Sequence, residues 1–170
     1  MSIWWTLHLR REAASVPLAR RLLLGTMETA GVDREISYEL AVALSEACAN
    51  AVEHGAGDCG DAYRVTACID GDTCHVEVTD AGPGFPEPPA RAAAGSDAYA
   101  VCAAAGTAAG VGVGVGAAPV PPVAEDGRGL RIIESLADHV RFHNRSDRGG
   151  AVVSFDKILK WRDDALLRAG

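Results

Sequence analysis

Cys74-His75-Val76-Glu77-Val78-Thr79-Asp80-Ala81-Gly82-Pro83-Gly84 is the stretch that decides the fold. Cys74, Val76 and Val78 alternate with His75, Glu77 and Thr79, the period of a strand with one covered face. Asp80 falls in phase with Val76 and Val78, so its carboxylate is expected on the covered face. The turn that follows carries Gly82 and Gly84, where a missing Cβ lets a ligand lie against the backbone. Working upstream, Tyr63, Val65, Ala67 and Ile69 share one face of another strand, and Asp70-Gly71-Asp72 joins the two as a hairpin. Residues 3–10 alternate as a half-buried strand, with Trp5, Leu7 and Leu9 inward. Val16 to Ala30 reads as a helix with Pro17 in its first turn, Leu18, Leu22 and Met27 on its buried stripe, and Gly31 closing it. Asp33 caps a second helix over about 34 to 54, ended by Gly55 and Gly57. Downstream, Gly129 to Ala137 reads as a short helix, 139–145 and 151–156 as a hairpin, and 157–167 as a closing helix. This order predicts an α+β two-layer sandwich, helices on one face of a mixed, mostly antiparallel sheet.

A chain of 170 residues, 48% apolar, fits one domain with a real core. The net charge of −7 argues against a broad nucleic-acid-binding face. Five scattered cysteines (48, 59, 68, 74 and 102) without a Cys-x-x-Cys pair read as free thiols in a reducing cytoplasm. Met1 to Thr6 lacks a basic region followed by an apolar core, so no signal peptide is expected. Ala98 to Ala124 carries no charge, but it is mostly Ala and Gly with a few Val, has no Leu, Ile or Phe, and ends in prolines. It reads as a flexible Ala/Gly/Pro-rich insertion rather than a membrane span.

Between Leu40 and Val52 the only polar side chains are Ser45, Glu46 and Asn50. Glu46 and Asn50 stand at i and i+4, on one helix face. The plain reading is a solvated face. The functional one has Asn50 supplying an oxygen to Mg²⁺, which takes oxygen ligands and phosphates. Glu46 then serves as general base or orients the attacking group. His54 is more simply a helix C-terminal residue favoured by the dipole. Asp80 is either a turn aspartate or an acceptor for an adenine amine, which guanine lacks at that position. Gly127-Arg128-Gly129 opens the short helix: an ordinary loop, or an anion site with Arg128 on a phosphate. Each segment alone is weak; together, in this order, they point to one ATP pocket.

Glu46-x-x-x-Asn50, Asp80-x-Gly82-x-Gly84 and Gly127-x-Gly129-Leu130 resemble the three nucleotide-binding boxes of the GHKL (Bergerat-fold) ATPases and kinases. Within that superfamily, LSEACANAVEHG, VEVTDAGPGF and GRGLRIIESLAD resemble the bacterial anti-sigma-factor serine/threonine kinases. The resemblance covers about residues 3–156 outside the insertion. It implies a Bergerat ATP-binding fold over 1–170 with a lid insertion at about 86–126. It implies ATP and Mg²⁺ as cofactors, Glu46 as catalytic base and Asn50 as metal ligand. Asp80 would read adenine, and Gly82, Gly84, Gly127, Arg128, Gly129 and Leu130 would line the nucleotide. It further implies phosphorylation of an anti-sigma-factor antagonist, sequestration of a sigma factor, and homodimers in the cytoplasm. A catalytically weak or inactive ATP-binding module that regulates transcription by sequestering a sigma factor or its antagonist, and a catalytic module serving a histidine kinase in trans, are the alternatives. Two departures bear on activity. The lid is long, and Val152 is expected where the family carries an adenine-holding threonine, which would weaken ATP affinity.

Overall fold

Strand alternation and helix capping lay down the elements in the expected order. The computed structural model describes residues 2–54, 61–85, 128–145, 149–163 and 165. They form β1 (Ile3–Arg10), α1 (Ser15–Ala30), α2 (Arg34–His54), β2 (Ala62–Asp70), β3 (Thr73–Thr79), α3 (Arg128–Leu136), β4 (His139–Asn144) and β5 (Ala151–Ile158). Gly55, Gly57, Gly127 and the expected lid lie outside the described residues. The five strands run β1-β2-β3-β5-β4, and all four pairings are antiparallel. This is the α+β sandwich expected, with a sheet that is antiparallel throughout its described pairings.

Helix boundaries follow local chemistry. Asp33 Oδ1 accepts from the Glu35 amide at 2.9 Å, satisfying an orphan N–H of the first turn of α2. Gly31 ends α1 in a left-handed conformation, φ 85°, and its amide bonds the Met27 and Glu28 carbonyls. The stripe expected on α1 needs correction. Ala19, Leu23, Met27 and Ala30 are buried, whereas Leu18 and Leu22 are 54% and 38% exposed. They sit one position off the buried stripe and flank, with Ile3 and Thr29, an apolar groove of about 560 Å³. Nothing in a single amphipathic pattern distinguishes a leucine facing the sheet from one beside it.

α2 is the central helix and packs on α1, α3 and the sheet. Between helices and sheet lie Phe155, Leu23, Met27, Leu40, Leu44, Ile69 and Ile133, all fully buried; each such side chain stabilises the fold by about 1.5–3 kcal/mol. Burial also pushes the Cys48 and Cys74 thiols up to about 12. Cys48, Cys68 and Cys74 are free thiols, as expected.

The tail is the second correction. β5 continues to Ile158, and Trp161 bridges to Val32 instead of entering a helix. Trp161 Nε1 donates to Asp72 Oδ1 at 2.6 Å, the Asp33 amide donates to the Lys160 carbonyl at 2.8 Å, and Arg162 pairs with Glu28 at 2.9 Å. These contacts commit residues 157–162 to strand and bridge positions rather than a helix; the Ala165 amide then turns back to the Arg162 carbonyl at 3.1 Å, and residues 164, 166 and 167 of the expected helix lie outside the described residues.

Candidate functional site

Asp80 leaves the end of β3 and is 9% exposed. Its Oδ1 accepts from the Gly82 amide at 2.7 Å and the Ala151 amide at 3.2 Å, while its own amide donates to the Ala151 carbonyl at 3.0 Å. The turn reading of this residue therefore holds. One oxygen builds the turn, and Oδ2 has no partner among the described residues. Paired acceptance from two amides fixes the plane of the carboxylate and leaves Oδ2 free to accept from a donor such as an exocyclic amine.

Gly150 makes that turn feasible. Its φ is 104°, and a Cβ there would stand 2.1 Å from the Asp80 carbonyl oxygen. The rest of the loop is held by Asn144 at the end of β4. Its Oδ1 accepts from the Phe85 amide at 2.6 Å and its Nδ2 donates to the Phe85 carbonyl at 2.9 Å. Phe85 packs edge-on to Phe142, ring centroids 6.0 Å apart. Gly84, at φ 83°, brings its backbone so near that a Cβ would meet Asn144 Oδ1 at 2.6 Å. Pro83, Gly84, Phe85, Asn144, Arg145 and Gly150 border a cavity of about 540 Å³. Neither Gly150 nor Asn144 was expected here. Asn144 has no sequence signal, but the double glycine Gly149-Gly150 after a strand was a legible sign of close backbone approach.

On the helix layer, Glu46 and Asn50 are half-buried on α2 and have no hydrogen-bond or ionic partner among the described residues. The first turn of α3 lies directly against this face: a Cβ on Gly129 would stand 3.0 Å from Glu46 Oε2. Gly129 thus lets a helix N-terminus, with its unpaired amides, approach a carboxylate closely. Arg128 is exposed at the start of α3. The Leu130 side chain is in the core at 9% exposure, so only its backbone amide is free to meet a ligand. Gly127 lies outside the described residues. Among them, no three His, Cys, Asp or Glu side chains are grouped to hold a metal.

Val152 is not where the resemblance put it. Val76, Val78, Val153 and Phe155 mark the helix-facing side of the β3–β5 pairing, and Thr79 opposite Val152 points to the other side. Ala151, bonded to Asp80 through both backbone and side chain, is the neighbour on the Asp80 face. The misassignment is a one-residue shift, which inverts the face of a strand residue.

An acceptor on the sheet, a glycine-shaped loop and a helix N-terminus over a Glu/Asn face thus stand on one α+β sandwich. The chain belongs to the family of histidine kinase-like ATPase domains, whose model matches residues 9–157. It therefore carries an ATP-binding domain of the GHKL class. Its fold is similar to that in the crystal structure of the RsbU and RsbW domains of Rv1364c from Mycobacterium tuberculosis, with a TM-score of 0.57 at 19% identity. That match covers 91% of this chain and 32% of the other, so the chain spans about a third of its length. No curated protein sequence matches the chain. Among the described residues no helix is long and apolar enough to cross a membrane.

Proposed function

We propose that the chain is an ATP-dependent serine/threonine kinase of the anti-sigma-factor type, which binds a sigma factor and phosphorylates an anti-sigma-factor antagonist in the cytoplasm. Residues 1–170 act as one ATP-binding domain, with 86–126 as its lid insertion. The observation that carries this reading is the pairing of a pinned Asp80, one oxygen left open, with Gly129 of α3 set against Glu46. Asp80 Oδ2 accepts from the adenine amine, and Gly82 and Gly84 allow the base to lie on the backbone. The amides of the first turn of α3, with Gly127 and Arg128, hold the phosphates. Asn50 offers its carbonyl oxygen to Mg²⁺, which takes oxygen ligands. Bound Mg-ATP supplies an activated γ-phosphoryl group. Glu46 accepts the proton of the attacking hydroxyl, and the close approach of α3 shields it from bulk water. The exposed Leu18 and Leu22, beside the free edge of β1, support self-association as a homodimer.

Calorimetric titration with Mg-ATP tests the site. Wild type is expected to bind, with weaker binding in Asp80→Asn and Asn50→Ala. Glu46→Ala is expected to bind ATP yet transfer no phosphate to an antagonist. Folded wild type that ignores ATP would overturn the reading. The second reading, a module that sequesters a partner without transfer, is favoured by Ala151, which offers no hydroxyl beside Asp80. Acid-stable phosphoserine or phosphothreonine on an antagonist rejects it.

A further inference from the structure

Lys157 lies where the alternation of β5 calls for an apolar residue. Val153 and Phe155 face the helices and are buried, and Lys157 is next in phase. A lysine there is unfavourable unless its ammonium is partnered. Its Nζ donates to the carbonyl of Leu136 at 2.6 Å and stands 2.7 Å from Glu39 Oε2. The side chains are only 13% and 27% exposed. Leu136 is the last residue of α3, and Glu39 belongs to α2. One ammonium thus joins β5, α2 and α3. A cation at a helix C-terminus also answers the orphan carbonyls and the negative end of the dipole.

Glu39 precedes Glu46 by two helical turns, so both lie on the side of α2 that meets α3. α3 is therefore held to α2 at both ends: at its first turn by Gly129 against Glu46, and at its last by Lys157 and Glu39. A helix of nine residues is a rod of roughly 13 Å. Releasing its far end lets its near end swing, and the near end carries the amides that face the phosphates. Asp80 and its turn are held by β5 and β4 through other contacts and do not depend on this rod.

We propose that Lys157 is a positioning residue for the phosphate end of the nucleotide: with Glu39 it fixes the C-terminus of α3 and so the distance of its N-terminal amides from Glu46. This rests on the reading that α3 receives the phosphates. The base end is set independently by Asp80.

The test is calorimetric titration of the full chain with ATP and, separately, with adenosine. Lys157→Met keeps the aliphatic stem and drops the cation. Adding Glu39→Gln removes the carboxylate that Lys157→Met leaves unpaired. Lys157→Arg restores a cation able to reach both partners. In the two methionine variants ATP affinity is expected to fall about tenfold, while adenosine affinity stays within about twofold, since tenfold corresponds to one lost charge-assisted contact. Lys157→Arg is expected to return ATP affinity to near wild type. Equal losses for adenosine and ATP, or unchanged ATP binding in both methionine variants, overturn the proposal. A wild type that gains nothing from the phosphates, binding ATP no better than adenosine, instead refutes α3 as their site and takes the proposal with it.

Discussion

Asp80→Asn separates the turn that the carboxylate builds from the contact with the base that we propose for it. An asparagine in the same rotamer keeps an oxygen at the Oδ1 position, so the amides of Gly82 and Ala151, at 2.7 and 3.2 Å, retain their acceptor. Those bonds lose only their charge assistance, a stability cost of about 1 kcal/mol. At the Oδ2 position an NH₂ group replaces the oxygen, and an adenine amine then meets a donor. A hydrogen bond to a charged group is worth about 1.5–3 kcal/mol, and stranding a donor in a buried site adds about 1 kcal/mol or more. The sum of about 2.5–4 kcal/mol corresponds to roughly 60- to 1000-fold in ATP affinity. Guanine presents a carbonyl where adenine presents its amine, so the same substitution is expected to narrow or reverse the preference for ATP over GTP. Asp80→Ala strands both amides and is expected to cost stability as well as binding. The assay is paired titration with ATP and GTP beside denaturant unfolding of each variant. Asp80→Asn that binds ATP as wild type does would refute the assignment of Oδ2 to the base, whatever its effect on stability.

Gly150→Ala would put a methyl 2.1 Å from the Asp80 carbonyl oxygen at φ 104°, so the start of β5 must withdraw by about 1 Å from its contact with β3; a loss of about 3 kcal/mol or more is expected in urea unfolding, and a wild-type midpoint would show the loop to be freer than drawn. Ala151→Thr adds a hydroxyl on the Asp80 face and is expected to strengthen ATP binding by up to about tenfold, whereas Val152→Thr, on the opposite face, should leave it unchanged; the reverse ranking by titration would restore the position implied by the family resemblance. The thiols of Cys48 and Cys74, raised to about 12 by burial, keep protons in the folded chain that the unfolded chain releases above about pH 9. Their contribution is whole below that pH and is lost as pH rises toward 12, by about 1.4 kcal/mol per pH unit per thiol; urea midpoints between pH 9 and 10 should therefore fall less steeply in Cys48→Ala and Cys74→Ala than in wild type. Leu18→Asp with Leu22→Asp should shift sedimentation toward monomer without disturbing the circular dichroism spectrum, and an unchanged oligomer would move the contact elsewhere.

Most of the fold could be read because capping and alternation are local. Asp33 and Gly31 bracket the helices, and the Val76–Val78 alternation sets the covered face of β3, each by contacts within a few residues. The misses all concern partners distant in the chain. Leu18 and Leu22 look like core because a helix wheel does not know which side the sheet occupies. The tail composition suits a helix, but Trp161 finds Asp72 and Val32, far away in sequence. At the candidate site, Asp80, Glu46 and Gly129 carry type-and-spacing signals that are strong only in combination. Asn144 and Lys157 do not, because their value lies in the Phe85 backbone and the Leu136 carbonyl, which any residue could provide.

The tail also fixes where attachments to this domain emerge. Ile3 pairs with Ile69, and Trp161 holds Asp72, so the first strand begins and the last segment is tied down at the same rim of the sheet. Asp80, Ala151 and Asn144 occupy the other rim, seven residues along β3, roughly 23 Å away. Ile3 and Trp161 therefore lie on the rim opposite Asp80. Held by that rim, the domain would present outward the rim of Asp80, Ala151 and Asn144, the one we propose for the nucleotide.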